Sequence, residues 1–524
     1  MKHMLRGLIL AFAALLGLTS PARAEWHEAR TEHVTVYGDM SPDALRSYAE
    51  RLELFDAALR RITSARETPR VTIYVLPSMA DIRRLAGGSS VAGFYTASAQ
   101  SAQIFLSHAD PSQGHSFGMR PAHILFHEYA HHMLLSNVDE YLPGWANEGM
   151  AELFSTVRID NEGLTFGAPS LNRGFGANSM NRMSLEELLL SDSRRLSPEQ
   201  NEQKYSRGWL LIHYLLLSGN RPGQFARYVT LLNQAVPVLD AARQAFGDLG
   251  ALDREFDRYR RAPRFQGFRV TRAQLGGTPQ VTTRRLQPGE AAIMPLRIES
   301  AAGVDAREAQ ALLGPARAVA ARFPQDSYVQ RALAEMEWDA GNLNEAEAAA
   351  DRAIALDPNN LEAFGYKVRV LGRRAFTGNG GARGWREVRT WISRANRTNP
   401  NYALPLVQYY DTFIASGEPV TDVARNGLLR ALILVPQDSS LRVRVAMDRL
   451  RAGDMASARR ALAPIAFSAH SGPENPARKL IQMIDANETK EAILAAAAEA
   501  HLGGHEFQPP RPPEEPAARG RRGS

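Results

Sequence analysis

Between residues 301 and 487 one short turn returns four times: Phe323-Pro324-Gln325-Asp326, Asp357-Pro358-Asn359-Asn360, Asn399-Pro400-Asn401-Tyr402 and Val435-Pro436-Gln437-Asp438. The prolines stand 34, 42 and 36 residues apart, with helix-patterned sequence between them. Proline lacks a backbone N–H and disfavours helix in the residue before it, so each turn stops one helix and lets another begin. A helical unit of this length cannot bury its apolar face alone; stacking on its neighbours completes the core. This stretch is therefore expected to fold as a row of helix pairs.

Residues 327–360 carry the pattern best, with Ala334, Gly341, Ala346, Ala353 and Pro358 spaced so that two helices approach closely. In this the unit resembles a tetratricopeptide repeat. Agreement thins elsewhere, to Ala395 before Pro400 and to Ala424 and Ala431 before Pro436, with a Gly-rich insertion at Gly378–Gly384. The resemblance implies an all-α tetratricopeptide-like repeat domain over 301–487, whose small apolar faces are mostly inter-repeat core and whose concave side is open to a protein partner. Residues 488–524 read as a terminal helix and a disordered Pro/Arg-rich tail.

The rest of the chain makes the whole α+β. Residues 25–118 read as a small N-terminal α/β unit, with strands at 33–37 and 71–75, a helix over 41–62 capped by Ser41, and a hairpin pairing 91–95 with 103–107. Residues 119–262 turn helical, over 121–136, 143–157, a segment capped by Ser184, and 203–217. Residues 263–300 show no helical period and are taken as a linker with room for short strands. At the start, Lys2, His3 and Arg6 precede an apolar run from Leu8 to Leu18 and then Ala22-Arg23-Ala24, the pattern of a signal peptide over 1–24 cleaved after Ala24. The run is too short for a span of about 20 residues, so the expectation is an exported protein, periplasmic or secreted, with no integral membrane segment after removal. The formal charge of +6 loses the three basic residues of that segment and falls to +3, too little to argue for nucleic acid.

No cysteine is present, which excludes disulfides, thiolate metal sites and a cysteine nucleophile. Any metal must be held by His, Asp or Glu. His127-Glu128-Tyr129-Ala130-His131 supplies two imidazoles at i and i+4, on one face of a helix, with Glu128 beside them to handle a metal-bound water. Two histidines leave a catalytic zinc one protein ligand short. Glu148, seventeen positions after His131, can complete the set, and Glu152, a turn later, can hold the far N–H of a ligand imidazole.

Over about residues 119–218 the chain resembles the gluzincin metallopeptidases, the thermolysin and aminopeptidase N superfamily, in its His-Glu-x-x-His helix and downstream Asn-Glu helix. The resemblance implies a helical zincin core, Zn2+ held by His127, His131 and Glu148, Glu128 as general base, and Glu152 at the supporting acidic position. No Gly-x-Met-Glu-Asn exopeptidase motif is present, which points away from an aminopeptidase and toward an endopeptidase. Zinc would lower the pKa of its water, and Glu128 would take that proton and pass it to the leaving amine. Tyr205, followed at i+4 spacing by Trp209 and His213, is the first candidate for an oxyanion donor, with His213 behind it; core packing is the competing reading of that stripe. His132 is expected on the surface and His123 as a polar residue near the cleft mouth. The strand Gln103–Ser107 is a candidate edge strand for an extended peptide. The expected function is a zinc metallopeptidase acting on a peptide or protein substrate, with repeats for protein interaction. The alternative is an envelope scaffold whose repeats bind a partner and whose metal site is structural or vestigial.

Overall fold

The computed structural model describes residues 25–508 apart from 64–68, 88–90, 109–120, 137–139, 170–181, 379, 469–471 and 473. The expected signal segment and the Pro/Arg-rich tail from 509 onward lie outside the described residues. The N-terminal unit runs β1 (Trp26–Arg30), β2 (Val34–Asp39), α1 (Pro42–Thr63), β3 (Val71–Leu76), α2 (Met79–Leu85), β4 (Gly93–Ala97) and β5 (Ala102–Ser107). In α1, Leu45, Ala49, Leu52, Phe55 and Leu59 are buried at helical spacing, so one face lies on the sheet. It is the crossover that lets β2 and β3 pair in parallel, Val36 opposite Ile73. The expected hairpin forms, with Gly93 opposite Leu106.

Next come α3 (Pro121–Leu134), α4 (Gly144–Ser155), β6 (Arg158–Asp160), β7 (Gly163–Phe166), α5 (Leu185–Leu189), α6 (Pro198–Leu217), α7 (Gln224–Asn233), α8 (Val238–Phe246) and α9 (Leu249–Tyr259). Residues 263–300 are not a linker. They hold β8 (Phe268–Thr271), β9 (Thr282–Arg285) and most of α10 (Pro288–Ala302). β8 joins β6 and β7, and β9 pairs with β1 to end a six-stranded sheet ordered β4-β5-β3-β2-β1-β9. The misreading has a physical cause. Thr-Thr-Arg-Arg is a polar strand, as exposed sheet edges are, and Gly289 and Pro295 break the helical signal of α10. The same strand order corrects a second expectation: β5 lies inside the sheet, and the edge belongs to β4.

The array continues with α11 (Ala306–Arg322), α12 (Ser327–Asp339), α13 (Leu343–Leu356), α14 (Leu361–Thr377), α15 (Gly381–Thr398), α16 (Ala403–Ser416), α17 (Asp422–Leu434), α18 (Ser439–Arg451), α19 (Met455–Ala466), α20 (Pro476–Asp485) and α21 (Lys490–Glu499). The proline turns do two jobs. Each stops a helix, and three deliver the cap of the next: Asp326 to the N–H of Tyr328, Asn360 to that of Ala363 and Asp438 to that of Leu441, all at 3.0 Å. Of the Gly-rich insertion, Gly378 caps the end of α14 and Gly381–Gly384 form the first turn of α15.

The array is not a separate arm. One continuous apolar core contains Trp145 and Leu210 from the helical unit together with Leu404, Leu428 and Leu480 from the array. A second patch sets Trp26, Tyr74 and Phe105 of the sheet against Met294 and Ile298 of α10. Among the described residues no helix is long and apolar enough to cross a membrane.

Candidate metal centre

Helix α3 is clamped from both sides. Behind it, the Tyr129 hydroxyl donates to Asp56 of α1 at 2.8 Å, both groups buried. In front, α4 crosses close to α6 because each presents a glycine. A Cβ on Gly149 would lie 2.5 Å from the Gly208 carbonyl oxygen, and one on Gly208 would lie 2.6 Å from that of Trp145. The start of α4 is tied by the Gly144 N–H, which donates to Asp192 at 2.5 Å, and Asp192 is paired with Lys204 of α6 at 3.0 Å.

This packing brings Glu148 of α4 against the two imidazoles that α3 presents on one face. His127 Nε2 and His131 Nε2 face each other at 3.1 Å, and Glu148 Oε2 lies 3.3 Å from the first and 3.5 Å from the second. One ligand atom from each residue lies within 4.8 Å of the others. A zinc with bonds of about 2.0–2.2 Å and tetrahedral angles has ligand atoms about 3.3–3.5 Å apart, so this donor set fits one ion. Two nitrogens and one carboxylate also leave a coordination position open.

The far side of each imidazole is held too. His127 Nδ1 meets Glu152 at 3.5 Å, the partnership expected of that carboxylate. His131 Nδ1 contacts Asn147 Oδ1 at 2.7 Å. Asn147 went unassigned in the sequence reading, where its only signal is its place directly before Glu148. Glu148 is fully buried; burial works against its charge, but the two imidazoles outweigh it and hold the carboxyl well below its ordinary range. For His131 burial again opposes charge, and Glu148, with help from Glu128 and Asn147, lifts its pKa to about 9.

A cavity of about 580 Å³ opens on this cluster. Glu128, Asn147 and Tyr205 line it, as do Val91 and Ala92 and the first residues of β4, Gly93–Tyr95. The opposite wall includes Arg442, Pro464 and Ser468 of the array. Tyr205 stands with its ring 6.4 Å from that of His127 and nearly parallel to it. The rest of its stripe is core: His213 is buried, with Nε2 at 3.1 Å from the Gly167 carbonyl and Nδ1 at 2.9 Å from the Tyr259 hydroxyl. His132 is not on the surface. It is 1% exposed, its Nδ1 lies 3.0 Å from the Tyr95 hydroxyl, and burial, aided by Arg60 and His33, pushes its pKa down to about 3. A rotation of about 100° from His131 points it at the sheet, because α3 is covered on that side as well. His123 is half-buried and stands outside both the ligand cluster and the cavity lining.

Neither a protein-family model nor a curated protein matches the chain. Among solved structures it is similar to a thermophilic TPR protein of Thermus thermophilus, at 20% identity and a TM-score of 0.31, over 40% of this chain and 99% of that one. It is also similar to yeast Tom70, at 12% identity and a TM-score of 0.25, over 69% of this chain and 70% of that one.

Proposed function

We propose that this helical-repeat protein is an exported zinc metallopeptidase of gluzincin type, hydrolysing peptide bonds in the cleft between its α/β unit and its array. The observation that carries the reading is the convergence of His127, His131 and Glu148, within 4.8 Å of one another, at a cavity also lined by Glu128. Zinc held by these three supplies Lewis acidity toward a water and toward the scissile carbonyl. Glu128 takes the proton of the attacking water and returns it to the leaving amine. Asn147 and Glu152 fix the two imidazoles in rotation. Tyr205 donates its hydroxyl hydrogen to the oxygen that gains charge. The β4 edge, which pairs only with β5 among the described residues, fits an extended substrate backbone along the cleft.

Metal analysis and a broad peptide-cleavage profile, run on the wild type and on Glu128→Gln, test the proposal. Both forms should hold one zinc, and the variant should lose at least about 100-fold in turnover. Undiminished cleavage by the variant would sink it. A second reading, a scaffold with a structural metal site, is favoured by the extent of the array, from α10 to α21. A zinc-loaded wild type that cleaves nothing in the library but holds one stable partner would establish that reading instead.

A further inference from the structure

After α21 the chain turns at Gly503, whose φ of +85° suits glycine, and runs without helix or strand across α14 and α16. Three features of the array receive it. Glu506 Oε2 accepts from Arg369 Nε at 3.3 Å and from Gln408 Nε2 at 3.1 Å, while the Glu506 N–H donates to Asp411 at 3.0 Å. Phe507, 0% exposed, lies over Gly372, where a Cβ would stand 2.2 Å from its ring, and packs against Trp385 at 5.6 Å. Arg373 donates to two successive carbonyls, Phe507 O at 2.8 Å and Gln508 O at 2.6 Å.

Each feature is built for a ligand. A glycine inside a helix costs about 0.5–1 kcal/mol relative to alanine, and Gly372 makes no turn. What it provides is the seat for an aromatic ring. An arginine that reads two successive backbone carbonyls selects a peptide backbone, and a buried amide beside a guanidinium selects a carboxylate. Residues 505–508 have no helix or strand of their own; they form one turn, in which the Gln508 N–H donates to the His505 carbonyl at 3.2 Å, and the His505 ring packs on Phe376 at 4.7 Å. Gly503-Gly504 joins them to α21.

We infer that the groove of α14–α16 is a peptide-docking site for a turn-forming segment bearing an adjacent Glu-Phe pair, which residues 505–508 occupy in cis. A partner protein carrying such a pair engages by displacing them. The short tether gives the resident segment an effective concentration in the millimolar range, so the wild-type groove is shut to weak competitors.

The test uses the full chain with Glu506→Ala and Phe507→Ala together, and as probe a fluorescent peptide of residues 501–508, followed by anisotropy. The double variant should bind the peptide with micromolar Kd, at least about 100-fold more tightly than wild type does. Replacing Glu by Gln or Phe by Ala in the peptide should weaken binding at least 10-fold. Adding Gly372→Ala, which fills the ring seat and suits a helix, should abolish it. Equal binding by double variant and wild type, or binding indifferent to the Glu-Phe pair or to Gly372→Ala, overturns the inference. So does a double variant that no longer folds by circular dichroism, since the segment would then be core. A wild type that dimerises by exchanging residues 505–508 overturns it as well, because the occupant would be a second copy.

Discussion

The array and the cleft both bury charge, and they balance it differently. In the array, carboxylates meet guanidinium groups: Arg444 pairs with Asp411 at 3.1 Å, Arg331 with Glu362 at 3.0 Å, and Arg369 with Glu506 at 3.3 Å. Those cations are permanent, so the neutralisation is built into the chain. In the cleft, Glu148 and Glu152 meet His127 and His131, whose charge is conditional on a proton. A site whose bases converge and whose positive charge is not fixed is one that a divalent cation can complete. The array keeps its electrostatics closed and the cleft leaves them open to a ligand.

The largest test of that contrast is Glu148→Ala. It should release zinc, measured by metal analysis, and lower peptide hydrolysis by about 1,000-fold or more if the cleft depends on an external ion. Arg444→Leu probes the closed side. It leaves Asp411 buried beside no guanidinium of its own, and should cost about 3–5 kcal/mol in chemical denaturation, largely recovered by adding Asp411→Asn. Asn147→Ala, which frees the far nitrogen of His131, should weaken zinc binding by about 10–100-fold in a competition titration while the fold is kept.

The smallest effect is one of pH. Burial, then the charge of Glu335, raises Asp339 to about 7, against the Ser300 hydroxyl that contacts it at 2.8 Å. A carboxyl raised in the folded state favours folding while protonated. That contribution is present below the unfolded value of about 3.9 and is lost as pH rises through 7. Asp339→Asn should therefore match the wild type at pH 4 and exceed it by about 1–2 kcal/mol at pH 8, measured by urea denaturation at both values.

Much of the ligand cluster was legible because helical geometry converts spacing into proximity. His127 and His131 share a face whatever surrounds them, and Glu148 needed only a short loop to reach them. The proline turns were equally local signals, and their Asp and Asn residues cap helices as side chains of that kind do. What stayed hidden depends on distant packing. Asn147 supports His131 because Gly149 and Gly208 let α4 and α6 touch, a fact of two chain segments rather than one. His132 reads as a surface residue until α3 is seen to be covered by the sheet. The Thr282–Arg285 strand and the seating of Phe507 on Gly372 pair residues far apart in sequence, and neither partner's neighbours announce the other. Tyr205 and His213 share one stripe, yet only the first reaches the cleft.

The sheet edge formed by β9 has a consequence for how the chain is made. β1 begins at Trp26, but its outer partner ends at Arg285, so the two are joined only after the entire helical unit between them exists. During synthesis the first strand emerges with one side unpaired and keeps an open edge until more than 250 further residues have followed. Contacts of such sequence separation form late and slowly. The nascent protein therefore passes through a long interval in which β1 offers its hydrogen bonds to any other strand, and its yield in the cell should depend on whatever shields that edge until translation reaches Arg285.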